Sequence, residues 1–145
     1  MPDLMLLGIE EQILDLEPDE NPGNVFPCLN CEGIHSELRA QLYAQLLGIF
    51  FDEAESLEQL TLEFGPYGPY VFKLDVTIVD YLAELAEDDI DSICATWVDS
   101  ADTSLLSLNN EDLRDVLSQF LFNLMHFCIL TRQEPLLSVF IYSEG

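Results

Sequence analysis

The sequence predicts an α+β domain that is predominantly helical, with three to four main helices packed against a small antiparallel sheet. Apolar residues recur at helical spacing in the middle and C-terminal parts of the chain, and short alternating runs flank turn residues. The length of 145 residues suits a single compact domain, 1–145. Hydrophobic residues make up 49 %, which is enough for a core.

The N-terminal part, residues 1–33, is expected to be a partly irregular lead and loop. Apolar and acidic positions mix over residues 1–20, a pattern compatible with either a short helix or an extended segment. Residues 18–27 contain three prolines, a glycine and two asparagines, which predicts a loop.

A helix and a hairpin are predicted next. Residues 36–59 carry apolar side chains at helical spacing, and Ser36 is positioned to cap this helix. Residues 60–64 then alternate like a strand, 65–68 form a turn signal, and 69–74 offer a second strand.

Three more helices and a final strand complete the prediction. Thr77 begins a spacing that resembles a capping box, so a helix is expected over 77–86 and another over 88–98. The longest helix, 110–131, is apolar nearly all round, which is typical of a central core helix. Residues 136–142 predict a strand that could pair with the hairpin.

The charge of the chain is almost entirely of one sign. Twenty-eight acidic residues face four basic ones, for a formal net charge of −24. This excludes a passive nucleic-acid binder, which needs a basic face, and argues against docking on an anionic membrane. Acids spread evenly over roughly 7,500 Å² would lie about 16 Å apart. Because the Debye length is about 8 Å, only clusters create a directed field.

The acids do cluster along the sequence. One group lies within residues 10–20, a second within 52–58, and a third of twelve acids within 75–115, where Arg114 is the one base. The sharpest run is 87–91, at the predicted start of a helix. There the helix dipole favours negative charge, which gives part of this run a purely structural reason.

A partner-binding surface is predicted from these acids, with Tyr67 at the hairpin tip as an aromatic anchor. Opposite fields speed association and select the partner, while buried aromatic anchors set the lifetime of a complex. The residues expected to meet the partner are Asp88, Asp89, Asp91, Asp99, Asp102, Glu111, Asp112 and Tyr67.

The cysteines raise the question of a metal site. Cys28-x-x-Cys31 followed by His35 has the spacing of part of a zinc site, but no second CxxC or HxxxH supplies the remaining ligands. Cys94 and Cys128 lie on apolar helix faces, where cysteine packs as a small hydrophobe. We therefore expect no metal and no cofactor, with a zinc role for the first three residues kept as an open alternative.

Catalytic motifs are missing from the sequence. It contains no GxGxxG, P-loop, HExxH or GxSxG pattern, and no EF-hand spacing among the acids. Of the two histidines, His35 is expected to cap a helix or face solvent, and His126 to lie in the core. The prediction is a protein that is not an enzyme, with an enzyme of unrecognised type as a minor alternative.

The compartment expected by default is the cytoplasm. The N-terminus has no positive n-region and no signal-peptide layout. The longest strongly apolar stretch, 120–130, is about half the length needed to span a bilayer.

These features together favour a protein that binds and blocks a basic macromolecule. In size, acidity and lack of catalytic motifs, the chain resembles the immunity proteins that bacteria make against nuclease or other antibacterial toxins. That resemblance implies direct binding of a basic toxin or effector, such as a nuclease, with no direct contact to nucleic acid or membrane. A DNA mimic and an acidic chaperone or escort of a secreted effector, similar in size and acidity to type III secretion chaperones, are the alternatives. Adaptation of the surface to high salt would be a simpler reason for the acidity.

Overall fold

A computed structural model describes residues 3–17, 19–31, 33–100 and 110–144 of the chain. Its strands are β1 Leu4–Ile9, β2 Cys28–Asn30, β3 Glu58–Glu63, β4 Tyr70–Leu74 and β5 Leu137–Ser143. Its helices are α1 Glu10–Leu14, α2 Ser36–Leu47, α3 Phe51–Glu55, α4 Val76–Glu84, α5 Ile90–Ser100 and α6 Asn110–Gln133. Short 3₁₀ turns occupy Pro22–Asn24 and Glu87–Asp89. The predicted fold class, helix-rich α+β with a small antiparallel sheet, is confirmed.

The five strands form one antiparallel sheet in the order β2-β1-β5-β4-β3. The predicted hairpin is present as β3 and β4. The final strand pairs with it, a pairing that the sequence allowed but left open, and also pairs with β1: Tyr142 lies between Val71 and Leu4. Within the N-terminal lead, residues 4–9 therefore form an inner strand of the sheet. The sequence pattern had left open whether this segment is helical or extended.

The inner strands β1 and β5 are buried on both faces of this sheet. Because side chains alternate along a strand, Met5 and Leu7 of β1 face the core formed with α2, α4, α5 and α6. Leu6 points the other way, into a second core that Ile13 and Phe26 of the N-terminal segment cover. A strand buried on both faces reads as a continuous apolar run, which is why β1 could not be told from a helix.

The helix predicted over 36–59 is wrong in its second half. The chain leaves α2 at Gly48, whose φ of 65° is left-handed and whose N–H donates to the carbonyl of Ala44. Glycine reaches this conformation without a Cβ penalty, so it ends the helix. The short α3 follows, and β3 already begins at Glu58. The cap is also different: His35, not Ser36, accepts from the N–H of Leu38 through Nδ1 at 3.4 Å.

The remaining helices lie close to their predicted positions. α4 begins at Val76 because Asp75, rather than Thr77, caps it by accepting from the N–H of Thr77 at 2.8 Å. α5 begins two residues later than predicted, after a 3₁₀ turn. α6 packs against α4, α5 and β5 and is the central helix, as predicted.

Arg39 of α2 is buried, with only 1 % of its side chain exposed. Its Nε and Nη2 donate to the two carboxylate oxygens of Glu58 at 2.8 and 2.9 Å, and its Nη1 donates to Asp3 at 3.0 Å and to the carbonyl of Ile34 at 2.8 Å. Tyr43 donates to Glu58 at 2.8 Å. This network joins the start of β1 to α2 and β3. Burial, together with the neighbouring Glu58 carboxylate, raises the pKa of Tyr43.

Candidate protein-binding surface

Among the described residues, ion pairs occupy three of the four basic side chains. Besides Arg39, Lys73 pairs with Glu10 at 3.2 Å, and Arg132 pairs with Glu84 at 3.1 Å. With so few cations available, the carboxylate surplus is carried by exposed side chains. The protein therefore offers a negative surface to any partner.

The acids lie on both sides of the sheet. The group within residues 10–20 belongs to α1 and the turn after it, on the side of the second core. The acids of α3, α4, α5 and α6 lie on the helical side. The net charge therefore surrounds the domain, and a directed field must come from local grouping of side chains.

One such grouping lies where the 3₁₀ turn and α5 pass beside α6. A groove of about 500 Å³ opens there, and its carboxylates come from Glu87, Asp91 and Asp115, all exposed. Its apolar part is Ile90, which is buried, and Phe122, which is half-buried. The remaining lining residues are Ser118 and Gln119. We call these seven residues the acidic groove.

Local structure explains why carboxylates line this groove. Ile90 turns inward at the first position of α5, so Asp91, about 100° further round the helix, emerges at the groove edge. The preceding turn, Glu87–Asp89, puts further carboxylates at the N-terminal end of α5, where the helix dipole stabilises them. Asp115 reaches the groove from the second turn of α6.

One of the predicted site residues, Asp91, lines this groove. Asp88 and Asp89 are exposed on the 3₁₀ turn next to the lining residue Glu87, but they are not part of the lining. Asp112 is exposed one turn before Asp115 on α6. Glu87 and Asp115, which also line the acidic groove, are not among the predicted site residues. Both belong to the group of twelve acids within residues 75–115.

Other predicted site residues lie apart. Asp99 is exposed, but eight residues along α5 put it about 12 Å from Asp91 and roughly 80° round the helix. Tyr67 is 90 % exposed on the β3–β4 hairpin, at the edge of the sheet opposite β2. Asp102 lies outside the described residues, as does the side chain of Glu111.

The histidines lie on separate elements. His35 caps α2, which is one of the two roles expected for it, and takes the place of the predicted Ser36 cap. His126 is exposed on α6, so its predicted core position is wrong. Seven residues after Gln119, it lies on the outward side of the helix, where its ring is 4.4 Å from that of Phe122 and its Nδ1 is 2.8 Å from the carbonyl of Phe122.

The cysteines do not converge on a common point. Cys28 is exposed at the start of β2, whereas Cys31 is buried and its thiol donates to the carbonyl of Leu29 at 3.6 Å. Burial raises the pKa of the Cys31 thiol to about 12. Cys94 and Cys128 are buried in the core, as predicted. Within the described ranges, no group of three His, Cys, Asp or Glu side chains is placed to hold a metal ion.

A smaller pocket of about 210 Å³ lies beside Arg39. Its carboxylates include Asp3 and Glu58, which already accept hydrogen bonds from Arg39. Tyr43, also in its wall, donates to Glu58. These polar groups satisfy one another, so the pocket is explained by the ion pair that holds β1, α2 and β3 together.

Comparisons with known proteins identified no relative of this chain. No protein-family model, no curated protein and no solved structure matches this chain. In the part of the chain that the structure describes, no helix combines the length and the apolar character needed to cross a membrane.

Proposed function

We propose that this protein is an inhibitor of the immunity type, which neutralises a basic toxin or effector, such as a nuclease, by binding it directly. The observation that carries the proposal is the acidic groove. Its exposed carboxylates, from Glu87, Asp91 and Asp115, line the same groove as the apolar side chains of Ile90 and Phe122. A lysine or arginine of the partner fits this combination, because its aliphatic stem packs on apolar surface while its charged head meets carboxylates.

The charges serve chiefly the rate and the choice of partner. An exposed ion pair contributes about 0–1 kcal/mol, so single pairs at the rim add little affinity. The surplus of acids attracts a basic protein over a distance of about one Debye length and raises the association rate. Lifetime depends on side chains that become buried in the complex, for which the half-buried Phe122 is available.

Inhibition in this scheme needs no chemistry. A toxin that acts on nucleic acid holds its substrate with a basic surface that contacts phosphates. An acidic domain bound to that surface excludes the substrate sterically and electrostatically.

The test is the effect of charge reversal on binding to a basic toxin that is encoded beside the gene for this protein. The variant Glu87→Lys/Asp91→Lys changes the acidic groove, and Glu11→Lys/Asp15→Lys makes the same change in net charge on the opposite side of the sheet. The groove variant should lower the association rate at low salt at least tenfold and restore toxin activity. The control should change the rate less than threefold. Equal effects would show that only net charge matters, and no effect of either would contradict the proposal.

A DNA mimic would behave differently in the same experiment. Its affinity would depend on many carboxylates spread over a long face, so no single groove would dominate. An escort would bind without suppressing the partner's activity.

A further inference from the structure

A second groove lies on the other side of α6 and has a different character. Its volume is about 480 Å³. Ile34 and Phe120 in its wall are buried, Leu29 is half-buried, and Val116 is 36 % exposed. We call it the apolar groove. Asn30 and Asn123 complete its rim.

The two grooves share a wall. Asp115 and Gln119, one turn apart on α6, line both of them. A single helix therefore separates the acidic groove from the apolar groove. Since an α-helix is about 10 Å wide, a partner element that crosses α6 can reach into both grooves at once.

We infer that the acidic groove and the apolar groove form one docking surface for an amphipathic α-helix of the basic partner, with a basic side chain in the first and a large apolar side chain in the second. This inference rests on the proposed function. The spacing favours a helix: side chains seven residues apart on one helical face are about 10.5 Å apart along the axis. In a strand, side chains on one face are about 7 or 13 Å apart, which matches the width of α6 less well.

Charge identifies the class of occupant. The three carboxylates of the acidic groove attract a cationic segment and repel an acidic one. A second copy of this chain would bring its own surplus of acids, from a net charge of −24, against the same surface. A basic helix with one apolar anchor satisfies both grooves.

Two helix-stapled alanine-based peptides of about 15 residues can serve as probes. The matched peptide carries arginine and leucine seven residues apart on one face, and the mismatched peptide has the same composition with leucine on the opposite face. Fluorescence anisotropy at low salt measures their affinity for the full chain. The matched peptide should bind about 10- to 100-fold more tightly, as expected for burial of one leucine side chain.

Substitutions in the protein separate the two grooves. Val116→Gln, which makes the apolar groove polar without changing the charge, should reduce the affinity of the matched peptide about tenfold and leave the mismatched peptide unchanged. Leu130→Gln is the matched control, because Leu130 is similarly exposed at 40 % on α6 but lines neither groove. Asp91→Asn should weaken both peptides. Circular dichroism of each variant confirms that it is folded.

The outcomes distinguish failure of the shared docking surface from failure of the proposed function. Equal affinity for both peptides, or no effect of Val116→Gln, would overturn the inference of a shared docking surface. If those peptides still depended on Asp91, the acidic groove of the proposed function would stand. If neither peptide bound, or if binding did not respond to Asp91→Asn, the proposed use of the acidic groove would fail together with the inference.

Discussion

Replacement of Arg39 by methionine removes the guanidinium of the buried ion pair while keeping much of the side-chain volume. Arg39 donates to both oxygens of Glu58, to Asp3 and to the carbonyl of Ile34. Its loss leaves the Glu58 carboxylate, which is only 9 % exposed, without the opposite charge. Breaking a buried pair in this way costs about 3–5 kcal/mol. That is a large part of the ~5–15 kcal/mol by which a typical domain is stable.

Urea unfolding followed by circular dichroism measures this loss. With a slope of about 2 kcal/mol per molar urea, the unfolding midpoint should fall by roughly 1.5–2.5 M. Arg132→Met is the matched control, because Arg132 and its partner Glu84 are 44 % and 69 % exposed. Solvent screens such a pair, so this control should cost only about 0–1 kcal/mol.

A second substitution tests the reason for the loss. Glu58→Gln keeps an acceptor for Tyr43 but removes the buried carboxylate that Arg39→Met leaves without a positively charged partner. The double variant Arg39→Met/Glu58→Gln should therefore be more stable than Arg39→Met alone. Equal losses for Arg39→Met and Arg132→Met, or a double variant that is no more stable than the single one, would refute the reasoning.

Three further predictions concern the pH dependence of stability, the reactivity of the thiols and the end of α2. Burial raises the pKa of Cys31 and Cys128 to about 12, from a usual value of 9.0. The unfolded chain therefore loses these protons first, and the free energy of unfolding should fall as the pH rises from about 9 towards 12, less steeply in Cys128→Ala. At pH 8 an aromatic disulfide reagent should label the exposed Cys28 rapidly and the buried thiols only after unfolding; fast labelling of a second thiol would contradict this packing. Gly48→Ala should lower the free energy of unfolding by about 1 kcal/mol because φ is 65° and no atom lies within 4 Å of an added Cβ, whereas Gly48→Asn should lose less. The same urea titration decides this, and equal stability of wild type and Gly48→Ala would show that the backbone is unstrained.

Local patterns predicted most of the elements. The hairpin, the final strand, α4, α5 and α6 were all found, because each has an apolar period of its own and a turn or capping residue near its ends. The division of residues 36–59 carried a local signal in Gly48, which ends α2 two residues before the extended Phe50 that precedes α3. The apolar period continued across that break and outweighed the glycine.

The first strand, β1, could not be predicted from local sequence patterns. β1 has no periodicity because residues 4–9 are enclosed by two cores at once. One of its two neighbouring strands, β5, lies more than 100 residues away along the chain, and there Leu6 pairs with Phe140. Nothing local could supply that pairing.

The sequence by itself determined the sign and size of the charge, the helix-rich composition and the presence of an acidic run, since these depend only on which residues are present and in what order. Only the tertiary structure decided which carboxylates share a groove. Asp91 and Asp115 are 24 residues apart and meet because α5 and α6 pack side by side, while Tyr67 is carried to the far edge of the sheet. Helix packing and strand order are set by the burial of apolar surface over the whole chain, and that global balance is not contained in any local segment.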